Sequence, residues 1–165
     1  MVRKTNTRRD QTQHPAWPLE QRPGFLIRRL HQIHVALFQD ACSKYEVTPL
    51  QYSLLSALAQ RGTADQTTLA ADIALDRTTT TGALKRLAAR HLVERAVNHE
   101  DRRARACRLT PAGTALLAKI ETPARDAHRA TIAGLSKADQ TRLIALMQRI
   151  VADDAGRTSA NDAIE

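Results

Sequence analysis

Apolar residues recur at three- and four-residue spacing along most of this chain, so the pattern predicts helices before anything else. From Phe25 to Tyr45, just after Pro23-Gly24, the positions Leu26, Leu30, Ile33, Leu37, Ala41 and Tyr45 form one stripe, and Phe25, Ile27, His34, Phe38 and Cys42 widen it. A stripe this wide predicts burial against more than one neighbour, and a second subunit is a natural one. Thr48 then caps a helix with Pro49 at its first position. Tyr52, Leu54, Leu55 and Leu58 supply its buried face, and Arg61-Gly62 ends it. Thr63 or Asp65 caps the short helix QTTLAADIA (66–74), with Leu69 and Ile73 turned inward. Ala74 and Leu75 form a turn. Asp76 caps the next helix, RTTTTGALKRLAAR (77–90), whose inward positions are Thr80, Ala83, Leu84, Leu87 and Ala88.

The helical period stops at His91. Two short antiparallel strands fit 93–97 and 104–109, joined by Asn98-His99-Glu100-Asp101-Arg102-Arg103. Thr110-Pro111 opens another helix, in which Pro123 predicts a kink or break. Ser136 caps a last helix over 137–154, with Leu143, Ile144, Met147, Ile150 and Val151 on its apolar face. Residues 1–22 read as a flexible basic arm and 154–165 as a polar tail. The expected fold is mainly α with a small β-hairpin wing. A winged helix-turn-helix DNA-binding domain occupies 47–110, and 23–46 with 111–153 forms a helical dimerisation region.

Composition supports helices: two Phe, two Tyr and one Trp leave a core of Leu, Ile, Val and Ala, unlike an aromatic-rich β-sandwich. Charge adds a partner. The net charge is +8, and residues 77–109 hold nine Lys and Arg against three acids. A localised basic patch on a helix-turn-helix pattern is the electrostatic footprint of duplex DNA. Thr78, Thr79, Gly82, Lys85 and Arg86 face outward near the start of the second helix. Consecutive threonines form helices poorly. Their hydroxyls can bond phosphates and base edges and their methyls can touch thymine, although threonine also belongs to ordinary helix starts. The arginines of the hairpin, Arg102, Arg103 and Arg105, suit a narrow minor groove.

Other chemistries find little support. Cys42 and Cys107 are too few for a disulfide framework. No apolar run approaches the roughly 20 residues of a membrane span, and the N-terminus lacks the apolar core of a secretory signal, so the chain reads as cytoplasmic with no membrane partner. No Gly-rich phosphate loop, Ser-centred elbow or metal-ligand cluster appears, so an enzyme is not expected and no cofactor is implied. His31 and His34 are spaced for a shared metal but lack a third ligand of obvious spacing, so no metal site is assigned. A small acid would need apolar walls and a few polar groups. Trp17, Arg28, His31, His34, Gln51 and Tyr52 are the effector-binding residues this reasoning offers.

These residues resemble the MarR-type transcriptional regulators over roughly Phe25 to Asp153. HEDRRARACRLTPAG (99–113) is similar to that family's wing signature, and TPLQYSLLSAL and LAADIALDRTTTTGALKRLAARHLVER sit where its pattern expects them. The resemblance implies a two-fold homodimer. Its recognition helices would enter major grooves of a pseudo-palindromic operator, with wings on the adjacent minor grooves. It also implies a repressor released by a small aromatic or heteroaromatic acid bound between the dimerisation helices and the DNA-binding lobe. Carried onto this chain, Asp101 braces the wing through an ion pair and an arginine at the tip meets DNA; which of Arg102, Arg103 and Arg105 does so stays open. Neither cysteine matches the family's peroxide-sensing position. The alternatives are an architectural, effector-independent DNA-binding protein and, more remotely, a redox or metal sensor.

Overall fold

The computed structural model describes residues 17–97 and 105–162. Helix α1 spans Pro23–Cys42, α2 Pro49–Arg61, α3 Gln66–Asp72 and α4 Arg77–Ala89. Strand β1 is Thr63–Ala64, β2 Val93–Val97 and β3 Arg105–Leu109. Helices α5 (Pro111–Thr131) and α6 (Lys137–Asp162) follow.

Local chemistry sets the helix starts. Thr48 accepts from the Gln51 amide while the Gln51 side chain accepts from the Thr48 amide, a reciprocal capping box. Asp65 accepts from the amides of Thr67 and Thr68, Asp76 from that of Thr79, and Thr110 from that of Gly113. These amide bonds hold the Asp65 and Asp76 carboxyls below the usual range, with the Thr79 hydroxyl contributing most at Asp76. Proline at the first position of α1, α2 and α5 costs no hydrogen bond there.

The three strands form an antiparallel sheet in the order β1-β3-β2, with Glu94 opposite Arg108 and Thr63 also opposite Arg108 from the other side. Leu54, Leu55, Leu58, Leu69, Ala83, Leu84, Leu87, Leu92, Val93 and Cys107 pack into one core beneath α2, α3, α4 and the sheet. A second core joins α1 to α5 through Phe38, Cys42, Val47, Ile120, Ala124 and Ala127. Leu116 packs against both, which ties α1 and α5 to the unit of α2, α3, α4 and the sheet. Burial pushes the Cys42 thiol up, as expected of a small buried apolar residue.

Several sequence expectations change. The first helix stops at Cys42, and Ser43–Tyr45 is a 3-10 turn closed by Glu46 at φ 52°. Helix α5 runs through Pro123 without ending; Ala124 and Ala127 then let α1 and α5 approach closely. Helix α6 continues to Asp162, so most of the expected polar tail extends that helix. Within the expected arm, Leu19–Gln21 forms a 3-10 turn and the Arg22 guanidinium donates to the Trp17 carbonyl. Residues 1–16 and the wing tip 98–104, with Asp101, Arg102 and Arg103, lie outside the described residues.

Helix α6 leaves the body, and among the described residues no element packs along it. Ile144, Leu146, Met147, Ile150 and Val151 are exposed on it, and Leu26, Ile27 and Ile33 are exposed on α1. An amphipathic helix with nothing under its apolar face calls for a partner. No helix among the described residues is long and apolar enough to cross a membrane.

Candidate DNA interface and effector cleft

The threonine run divides by helical geometry. Thr80 is fully buried and donates to the Asp76 carbonyl. Thr78 and Thr79 are exposed, as are Lys85 and Arg86. Thr81 is half-buried; its hydroxyl donates to the Arg77 carbonyl at 2.7 Å and accepts from the Gln66 side-chain amide, 3.1 Å away, which fixes α4 against α3. Arg77, Thr78, Thr81, Gly82 and Lys85 line one shallow groove on the outer face of α4. At Gly82 the nearest atom to a built Cβ is the Arg86 guanidinium at 3.6 Å, so glycine keeps this face low rather than relieving a clash. The structure thus gathers Thr78, Gly82 and Lys85 into one surface, with Thr79 and Arg86 exposed beside it. Sequence reasoning missed Arg77 and Thr81, although Arg77 directly follows the Asp76 cap.

Strands β2 and β3 pair antiparallel, and α4 contacts β2. Arg108 and Glu94 pair across it at 2.7 Å, both about half exposed, so the bond orients the strands more than it stabilises them. Arg105 belongs to β3, opposite Val97. At the hairpin base Thr110 donates to the His91 carbonyl at 2.7 Å.

A cleft of about 870 Å³ opens between α2, the end of α3 and α5. Tyr52, Ala57, Ile73 and Leu117 give it apolar surface, Ser53, Ser56 and Gln60 give it neutral polar groups, and Arg61, Asp72 and Glu121 give it charge. Tyr52 donates to Glu121 Oε2 at 3.0 Å and Arg125 donates to Oε1 at 3.1 Å, so both oxygens of this carboxylate are engaged. Those donors, Arg125 first, lower the Glu121 carboxyl, while burial and the Glu121 bond raise the Tyr52 phenol.

Of the expected effector residues, only Tyr52 lines this cleft. His34 packs behind it, stacked on His128 at 4.5 Å, with His128 6.4 Å from the Tyr52 ring. The Thr131 hydroxyl gives its one proton to the Ala127 carbonyl at 2.8 Å. His34 Nδ1 must therefore donate to Thr131 Oγ1, 3.0 Å away, and Nε2 carries the lone pair. Burial, then His128 and His31, hold the His34 imidazolium below the ordinary histidine range. Gln51 is a correction: it is buried and its side chain is committed to the α2 cap. Trp17, Arg28 and His31 are exposed and none of them lines the cleft; Arg28 lies over the Phe25 ring. The cleft residues Ser56, Gln60, Arg61 and Asp72 had no sequence signal, because only the meeting of α2 with the end of α3 brings them together.

The family model described as MarR family matches residues 47–104. The chain is 28% identical over 93% of its length to the HTH-type transcriptional repressor NicR of Pseudomonas putida, 98% of which is covered. It is 32% identical to the PcaV transcriptional regulator of Streptomyces coelicolor, solved with its natural ligand, over 85% of this chain and 98% of that one at a TM-score of 0.77. It is 29% identical to BpsR of Bordetella bronchiseptica, whose DNA binding is regulated by 6-hydroxynicotinic acid, over 82% and 97% at a TM-score of 0.78. The family-model match, together with 32% identity over nearly the whole of a solved regulator with the same fold, makes this chain a member of the MarR family.

Proposed function

We propose that this chain is a sequence-specific, DNA-binding transcriptional repressor that works as a cytoplasmic homodimer and is released from its operator by a small aromatic or heteroaromatic acid. The observation that carries the reading is the outer face of α4. There Thr78, Thr79, Lys85 and Arg86 are exposed, and the helix beneath them is fixed by Asp76, Thr80 and the Thr81–Gln66 bond. A rigid helix with hydroxyls and cations at its N-terminal half fits the major groove, where such side chains reach base edges and phosphates. One of the hairpin arginines, Arg102, Arg103 or Arg105, meets the neighbouring minor groove in this reading, and Asp101 braces the wing as the family resemblance implies.

The exposed apolar faces of α1 and α6 support the two-fold dimer. Two recognition helices must then stand about 34 Å apart to enter successive major grooves of a pseudo-palindromic operator. An acid releases the DNA only if it binds a dimer of different spacing more tightly than the DNA-bound one. The cleft beside Tyr52, backed by His34, joins the reading unit to α5 and is the place where such a ligand acts on that spacing. The repressor name of NicR and the 6-hydroxynicotinic acid response of BpsR support the same reading. The test is fluorescence anisotropy on the DNA flanking the chain's own gene, with 6-hydroxynicotinic acid, 4-hydroxybenzoic acid and benzoic acid as probes. Specific binding weakened at least tenfold by one of these acids is expected; specific binding indifferent to all three removes the effector from the account.

A further inference from the structure

Arg61 stands at the rim of the cleft, at the last position of α2. Its Nε and Nη2 donate to the two oxygens of Asp72, at 2.5 and 2.7 Å, a side-on fork. That geometry uses one edge of the guanidinium. One Nη1 hydrogen and the outer Nη2 hydrogen form a second, end-on edge of matching spacing, and no described residue engages it. Arg61 is half exposed, so this edge is within reach of a ligand. It is also the one cation in the lining. Of the two carboxylates there, Asp72 is held in the fork and Glu121 is already bonded by Arg125 and Tyr52. Ala57, Ile73 and Leu117 line the same cleft as Arg61 and Tyr52 and give it apolar surface suited to a flat ring.

Asp72 is the last residue of α3. Ile73 and Ala74 follow, Ala74 at φ 53°, and Asp76 then caps α4. The fork therefore clasps α2 to the segment that aims the recognition helix.

We propose that Arg61 is the carboxylate anchor of the effector cleft, binding an aromatic acid end-on while Asp72 holds it side-on, and that this shared guanidinium couples the ligand to α3 and α4. The inference deepens the repressor reading above and rests on it. A second carboxylate on the same guanidinium draws charge from the Asp72 bond and repels Asp72 directly, so filling the cleft loosens the clasp. Asp72 is a positioning residue: without it the acid still binds, but the message to α4 is lost.

The experiment uses the full chain, calorimetric titration and operator anisotropy, with 6-hydroxynicotinic, 4-hydroxybenzoic and benzoic acids, each beside its carboxamide. Wild type should prefer the best acid over its amide at least tenfold. Arg61→Gln should abolish that preference while leaving amide affinity within about twofold, and Arg61→Lys should retain part of it because charge survives without the fork. Asp72→Asn should bind the acid as well as wild type or better, hold the operator more weakly in the absence of acid, and lose at least fivefold less of that binding when acid is added. Melting curves near wild type confirm that the variants fold. Arg61→Gln retaining the acid preference, or Asp72→Asn releasing DNA normally, overturns the proposal while leaving the acid-responsive repressor intact. A wild-type protein that binds the operator but none of the acids overturns the effector reading and this inference together.

Discussion

Replacing Gly113 with alanine should cost the hairpin its seat. Gly113 is the third residue of α5, where the helix start meets the chain entering β2. A Cβ placed there would lie 2.0 Å from the Leu92 carbonyl oxygen and 3.4 Å from Leu109 Cδ2. The contact must open by roughly 1.5 Å to reach an ordinary van der Waals distance. That same carbonyl accepts the Thr110 amide at 3.1 Å, and the Thr110 hydroxyl bonds the His91 carbonyl at 2.7 Å and the Gly113 amide at 3.0 Å. Overpacking against backbone costs about 1–3 kcal/mol. Two disrupted hydrogen bonds add about 1 kcal/mol each. Removing a helical glycine returns at most about 1 kcal/mol. The net loss is about 2–4 kcal/mol, or a fall in melting temperature of roughly 5–15 °C for a chain of this size. Circular dichroism melts at fixed protomer concentration measure it, since a dimer's Tm depends on concentration. Gly24→Ala is the control, because nothing lies within 4 Å of a Cβ there. Gly113→Ala should also weaken operator binding, since the hairpin base and α5 are held through this contact. A Gly113→Ala protein melting within 2 °C of wild type with unchanged operator affinity would refute the packing argument.

The remaining expectations address DNA, assembly and pH. Lys85→Ala should lower operator affinity and, as a phosphate contact, reduce the salt slope by about one unit, as anisotropy at several salt concentrations would show; a loss confined to one base position would make Lys85 a base reader instead. Arg103→Ala should weaken binding by at least tenfold, and wild-type affinity would remove it from the wing contact. Ile150→Glu with Val151→Glu should convert the dimer to single chains by sedimentation, because both residues are 69% exposed on α6; an unchanged mass places the interface elsewhere. His34 faces Thr131, His128 and His31 with its pKa lowered, so its contribution to stability is present above the ordinary value of 6.5 and is lost as pH falls through the lower folded value. Urea midpoints should drop between pH 7 and 5, and His34→Gln should flatten that drop.

The reading unit was legible because its signals are local. Thr48, Asp65, Asp76 and Thr110 announce helix starts by side-chain type alone, and Leu69, Leu84 and Leu87 announce an inward face by spacing. The Thr78–Thr81 run was readable for the same reason, since helical period decides that Thr80 points in and Thr78 out. The cleft was not legible. Arg61 read as a helix terminator and Asp72 drew no reading of its own, and only the meeting of α2 and α3 makes them a clasp. Gln51 read as a free polar group, although the Thr48-x-x-Gln51 spacing carries the capping-box signature that explains its burial. Beyond Val151 the apolar period fades, yet no proline interrupts 154–162 and α6 continues on backbone hydrogen bonds. The two-residue β1 is too short to leave a pattern; it exists because β3 has a free edge.

The central claim is that a symmetric pair of α4 helices reads one DNA site. It is tested most directly by titrating the protein against two duplexes at one salt concentration, the DNA flanking its own gene and a scrambled copy, with the mass of each complex measured. The account predicts two chains per duplex and a preference of about a thousandfold or more for the native sequence. Equal affinity for both duplexes, or one chain per duplex, would contradict it.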